Sequence, residues 1–156
     1  SDVYKRQVIN VATAGAVSPE IQDEWLKEGV LLTLPASAAL SLNTMKSARI
    51  VVDNWKMYEA YAQELRGLPG GYAANLSGIC GYLMDLVEGG EIPQQDIVNL
   101  GDVIAGKQEG RRDDQERVIF IMDGMPIEDL AWGYTVYENA KEMGLGTKLN
   151  LWEKTR

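Results

Sequence analysis

Three short segments of this 156-residue chain carry side chains from which a site could be built. Thr13-Ala14-Gly15 follows the β-branched run at residues 8–12 (VINVA); its small residues let a ligand approach the backbone closely, and Thr13 adds a hydroxyl. Ala36-Ser37-Ala38 follows the apolar run 30–34 (VLLTL) and offers the Ser37 hydroxyl. Both segments read equally well as plain turns. Asp123-Gly124-Met125-Pro126 follows 118–122 (VIFIM), and Asp123 reads either as a helix cap or as a polar group facing a bound molecule. The chain contains no histidine. That removes Ser-His-Asp and Cys-His nucleophile systems and a His/Cys zinc site. What remains is carboxylate, lysine, tyrosine and hydroxyl chemistry, or the chemistry of a bound cofactor.

The elements that must position these segments are legible in outline. Residues 8–12, 30–34, 49–52 (RIVV) and 118–122 are short apolar runs of the kind buried strands need, and short helical stretches separate the first three. That order argues for an α/β fold with a parallel sheet of Rossmann type. Three strand-end loops would then meet at the carboxyl edge of the sheet, where ligands gather in open α/β folds. Helical spacing predicts helices over 55–65, within 78–87 and from Pro93 onward, where Ile97, Leu100, Val103 and Ile104 share a face. A long helix starts at Pro126, with Glu128 and Asp129 in its first turn and Gly144 and Gly146 as its stop. Tyr134 and Tyr137 read as its core face, and Met122, Met125 and Met143 as packing residues. Residues 147–152 (TKLNLW) alternate like a half-buried strand. The charged run 106–114 reads as a solvated connection, with anion binding by Arg111 or Arg112 as the alternative.

Net charge is −8, with 15 basic and 23 acidic residues, so a nucleic-acid or anionic-membrane partner is disfavoured. No apolar run approaches the length of a membrane span. A single cysteine, Cys80, permits no internal disulfide, sits among apolar neighbours that make it inert, and points to a reducing, cytoplasmic location. Residues 1–7 (SDVYKRQ) fit nothing that follows and resemble a translated sequencing-adapter remnant. The native sequence is therefore expected to begin near Val8, as the tail of a longer protein. The alternative is a signal peptide around Lys5-Arg6 and Ala12-Thr13-Ala14, which lacks an initiating Met and is interrupted by Asn10 and Thr13. No G-x-G-x-x-G phosphate loop is present anywhere in the chain.

Several ordered motifs resemble the ornithine cyclodeaminase/mu-crystallin family. Leu100-Gly101-Asp102-Val103-Ile104-Ala105-Gly106-Lys107 with Gly110-Arg111 is similar to its "LGDVIAGK..GR" segment. Gly124 through Ala131 resembles its "G-x-x-x-E-D" helix start, and Val136-Tyr137-Glu138 with Gly144-Leu145-Gly146-Thr147 resembles its tail. Ala12-Thr13-Ala14 and Glu24-Trp25-Leu26-Lys27 match its "VTAT" and "EWLKPG" segments.

The resemblance implies an enzyme that binds NAD or NADP and acts on an amino acid, keto acid or cyclic imine, in a homodimer. It divides the chain into a leader at 1–7, part of a dinucleotide-binding domain at 8–125, and a helix and strand at 126–156 that return to a dimerisation domain. By the same resemblance Thr13 and Ala14 line the cofactor, Asp123 and Gly124 lie near the nicotinamide, and Ser37 sits at the reacting centre. The cyclodeaminases carry an aspartate in the loop that here reads Leu34-Pro35-Ala36-Ser37-Ala38-Ala39; the ketimine reductases' "GASRP" is nearer. The family's first half, which carries the phosphate loop and the basic residues that grip substrate, is expected to be missing, leaving the chain inactive by itself. The alternative from another functional class is a non-catalytic ligand-binding or dimerisation module on the same scaffold.

Overall fold

The computed structural model describes residues 8–13, 17–76 and 78–149. Residues 1–7 and Ala14, the subjects of two expectations above, lie outside them. The chain divides into two compact units, one running through Asp123 and the other starting at Gly124.

The first unit is built on a five-stranded, all-parallel sheet in the order β1-β2-β5-β3-β4. The strands are β1 (Val8–Asn10), β2 (Leu31–Leu34), β3 (Arg49–Val52), β4 (Val98–Asn99) and β5 (Val118–Ile121). β5 is central because its run is apolar on both faces, as a strand covered on both sides requires. Ile119 and Ile121 face the main core with Leu32, Leu34, Ile50 and Val52. Val118 and Phe120 face a smaller cluster with Val51 and Val98. The register pairs Leu32 and Ile50 with Ile119, so the same side of three strands feeds one core.

Helices α1 (Leu42–Ser47), α2 (Trp55–Leu65), α3 (Ile79–Glu88) and α4 (Leu100–Ile104) connect or flank the strands. Local hydrogen bonding sets where they start. Ser41 Oγ accepts from the Thr44 amide at 2.9 Å to cap α1, and donates in turn to Asp23 at 2.6 Å. The Ser41 and Thr44 hydroxyls together hold the Asp23 carboxyl below its usual range. Asn54 caps α2, whose first amide, Trp55 N, donates to Asn99 Oδ1 at 2.7 Å and so ties the end of β4 to the helix after β3.

β1, β2, β3, β5, α2 and α3 appear within two residues of the positions their spacing predicts. The segment after Pro93 differs. Residues 94–96 form a single 3-10 turn, Val98–Asn99 is a strand, and only Leu100–Ile104 is helical. The periodic residues are shared between two elements. Val98, Leu100 and Val103 all reach the same apolar cluster, so a strand and a short helix reproduce the spacing of one longer helix.

The run 106–114 is a structural latch. Arg111 donates to the carbonyl oxygens of Glu116 and Val30, and Arg112 pairs with the Glu116 carboxylate. Burial raises the Glu116 carboxyl, but Arg112 more than offsets it and leaves it below its usual range. Both guanidinium groups are committed to the protein's own oxygens.

In the second unit, α5 spans Pro126–Glu142 and none of its residues is buried. Tyr134, Tyr137 and Met143 are exposed, contrary to their reading as core. Helical spacing identifies a face and leaves open what covers it. Residues 147–149 carry no strand, and the rest of the expected strand at 147–152 lies outside the described residues. Among the described residues, no helix is long and apolar enough to cross a membrane.

Candidate functional site

Because the sheet is parallel, β1, β2, β3 and β5 deliver their carboxyl ends to one edge. A cavity of about 330 Å³ opens there. Thr13 lines it after β1, Pro35-Ala36-Ser37 after β2, and Met122-Asp123 after β5. These are the three loops singled out in the sequence, brought together by topology.

The first turn of α3 closes the cavity with Gly78, Ile79 and Cys80, which sequence reasoning did not assign to the site. Gly78 adopts φ +85°, and a Cβ there would stand 3.9 Å from Ser37 Oγ and 3.7 Å from Cys80 Sγ. The glycine keeps the wall open between those two groups. A second hollow of about 410 Å³ lies between α2 and α3 and is lined by Trp55, Arg66 and Tyr72, away from the strand ends.

Asp53, also missed, organises the edge from below. It is a buried acid at the end of β3. Its Oδ1 accepts from the Asn54 amide and its Oδ2 from the Asp123 amide, both at 2.9 Å. The Asp53 amide donates back to the Ile121 carbonyl at 3.3 Å. β3 therefore fixes the loop that leaves β5. The rule that drew attention to polar residues after the other strands would have found Asp53 after residues 49–52.

Asp123 is exposed at the rim, and its Oδ1 accepts from the Cys80 thiol at 3.6 Å. It does not cap α5: the cap position is Met125, and no side chain bonds there. Burial, and then the Asp123 charge, push the Cys80 thiol up to about 12. Tyr58 and Tyr61 beside this cluster are raised as well, first by burial and then through Asp53 and Asp123 respectively. Ser37 is half-buried and Thr13 exposed. Gly124 opens the second unit at φ +86°. Among the described residues, no group of three acidic or cysteine side chains is placed to hold a metal.

The state of Cys80 gives a direct check. A thiol raised to about 12 stays protonated, and so unreactive, through neutral pH. Alkylation at mildly alkaline pH is expected to run about tenfold or more slower in the folded protein than in denaturant. Because the folded value is the higher one, the thiol's contribution to stability is complete below the ordinary cysteine range and fades as pH rises toward about 12. Equal alkylation rates with and without denaturant would contradict the geometry.

Comparison with known proteins supplies the lineage. The sequence profile of the ornithine cyclodeaminase/mu-crystallin family matches residues 2–144. The chain belongs to this family. It is 30% identical over 145 residues to an alanine dehydrogenase of Archaeoglobus fulgidus, covering 89% of this chain and 39% of that protein. An archaeal alanine dehydrogenase dimer solved with bound NAD superposes at a TM-score of 0.60 and 25% identity, over 95% of this chain and 42% of that one. Thermococcus litoralis Delta(1)-pyrroline-2-carboxylate reductase, solved with NADH and L-proline, shares the fold at a TM-score of 0.61 and 22% identity, over 92% of this chain and 40% of that one. The chain thus spans about two fifths of the length of these proteins.

Proposed function

We propose that this chain is the carboxy-terminal part of an NAD(P)-dependent oxidoreductase that interconverts an imine and an amine in amino-acid metabolism. The observation that carries the reading is the cavity where three strand-end loops of a parallel sheet converge, on a fold whose solved neighbours include an archaeal alanine dehydrogenase dimer with bound NAD. The residues present suit the nicotinamide end of such a coenzyme. The volume is near the lower end of ligand sites, about 300 Å³ and up. The walls at Ala36, Ser37 and Gly78 are small, and a Cβ on Gly78 would enter the space beside Ser37. When bound, the coenzyme would supply or accept hydride at its nicotinamide ring.

In this reading Thr13, Ala14, Asp123 and Gly124 border the coenzyme and Ser37 faces the reacting carbon. The protein's own work is orientation: Asp53 holds the Asp123 backbone, and the hydroxyls of Thr13 and Ser37 offer hydrogen bonds to a planar amide or a substrate carboxylate. The assembled protein is a homodimer in this reading; the archaeal relative was solved as a dimer, and the exposed Ile127, Leu130 and Trp132 of α5 suit a helix that another domain covers. A cytoplasmic location suits the lone thiol.

The test is made on the full-length protein that carries this chain. NADH and NADPH are offered with a panel of cyclic imines, and with 2-keto acids plus ammonia, while reduced-nicotinamide absorbance is followed. Oxidation of either coenzyme by at least one substrate is expected. No turnover across the panel would overturn the enzyme reading in favour of a non-catalytic binding module.

A further inference from the structure

Reducing an imine, or oxidising an amine, moves a proton at nitrogen as well as a hydride at carbon. Within this chain, which spans about two fifths of the length of its relatives, few cavity side chains can handle that proton. The chain has no histidine. Among the described residues that line the cavity, only Asp123 and Cys80 ionise, and Cys80 is pushed up to about 12. Ser37 and Thr13 hydroxyls donate and accept hydrogen bonds but are too weakly acidic to give up a proton near neutrality.

Asp123 is also held in place on two sides. Its amide is fixed by Asp53 Oδ2 at 2.9 Å, and its Oδ1 accepts from the Cys80 thiol at 3.6 Å. The Tyr61 hydroxyl bears on the same carboxyl, and the Asp123 side chain is exposed at the cavity rim. The groups that face this carboxyl are Asp53 just after β3, Tyr58 and Tyr61 on α2, and Cys80 on α3.

We propose that Asp123 is the catalytic residue that exchanges a proton with the substrate nitrogen. This rests on the oxidoreductase reading above and adds a residue role to it. In the reducing direction the Asp123 carboxyl O–H bond breaks and an N–H bond forms at the imine nitrogen. The carbon of the resulting iminium accepts a hydride, with its electron pair, from the reduced nicotinamide, and the C=N π electrons become the amine lone pair. The substrate is reduced, the coenzyme is oxidised, and water returns a proton to the Asp123 carboxylate. In the oxidising direction each transfer reverses, and Asp123 takes the proton.

The experiment uses the full-length protein with Asp123→Asn and Asp123→Glu. Asparagine keeps the shape and removes the exchangeable proton. It is expected to lower kcat by about 10²-fold or more, within the range of general acid–base catalysis. The limb of the kcat–pH profile that belongs to the carboxyl should vanish, while any loss of coenzyme affinity, read by fluorescence titration without substrate, stays well below the loss in kcat. Asp123→Glu should keep the pH limb at reduced kcat. A readout without coenzyme reports the geometry: removing the carboxylate charge beside Cys80 lowers that thiol's pKa, so Asp123→Asn should alkylate several-fold faster. Wild-type kcat with an unchanged pH profile in Asp123→Asn would overturn the proposal and leave the oxidoreductase reading standing. So would a loss of coenzyme affinity that matches the loss of kcat. An inactive wild type would remove the oxidoreductase reading itself, and the proton role with it.

Discussion

Asp53→Ala is expected to destabilise the fold by about 2–4 kcal/mol, because it strips the acceptor from two amides at once and each half-buried donor left unmade costs about 1–3 kcal/mol. The Asp53 side chain is buried, and burying a polar side chain carries a desolvation cost that these bonds offset. Truncation frees the protein of that desolvation cost, which is why the expected loss stays below the simple sum at its upper end. Asp53→Asn should fall between wild type and alanine: its Oδ1 keeps one amide partner, while its NH₂ group turns a donor toward the other. The measurement is the urea midpoint of all three proteins at constant m-value. An alanine variant within about 0.5 kcal/mol of wild type, the usual range of a neutral surface change, would mean that the Asp123 loop is held by something else.

The same residue shows where the sequence stops being readable. The runs at 31–34, 49–52 and 118–121 announce themselves because a strand covered on both faces needs an unbroken apolar stretch. Their carboxyl ends, and so Thr13, Ser37 and Asp123, follow from parallel topology alone. Strand order is a different matter. Nothing local says that β5, the last strand among the described residues, inserts between β2 and β3. That insertion puts Asp53 beside Asp123 across 70 residues of sequence. The contact between Cys80 and Asp123, 43 residues apart, is hidden for the same reason. The two-residue strand Val98–Asn99 was masked by a spacing that also suits a helix, since periodicity cannot distinguish a short strand followed by a short helix that share one face. In the motifs resembling the family, Gly106, Gly124, Gly144 and Gly146 sit at positive φ, where backbone geometry favours glycine. The environment of α5 was not legible, because amphipathic spacing carries no information about its partner.

Gly81→Ala sets two known effects against each other, and their sizes decide the sign. Alanine in place of glycine inside a helix gains about 1 kcal/mol from propensity. At Gly81 in α3, however, the new Cβ would meet Tyr72 O at 2.6 Å, with Ala73 Cα and the Tyr72 carbonyl carbon at 2.8 Å. These are backbone atoms, and they cannot swing away. Tyr72 N and Ala73 N donate to the Asp85 carboxylate at 2.7 and 2.9 Å, and Tyr72 O accepts from Asn75 N and Leu76 N. Asn75 Nδ2 adds bonds to the Pro69 and Gly71 carbonyls. The segment is a strap fastened to the helix it crosses. Forcing it outward costs about 1–3 kcal/mol as overpacking, and the lengthened Asp85 bonds add to that, so a net loss of about 1–2 kcal/mol is expected. Gly133 in α5 is the control: a Cβ there meets nothing within 4 Å, so Gly133→Ala should stabilise its helix by about 0.5–1 kcal/mol. Opposite signs at the two helical glycines are the expected result of parallel urea titrations; a stabilising Gly81→Ala would show that the strap yields. The strap bears on the site as well. Gly81 directly follows Cys80, whose thiol meets Asp123, so a strap pushed off α3 disturbs the turn that closes the cavity. Faster Cys80 alkylation in Gly81→Ala, with Gly133→Ala unchanged, would tie the packing of this loop to the geometry of the proton-handling carboxyl.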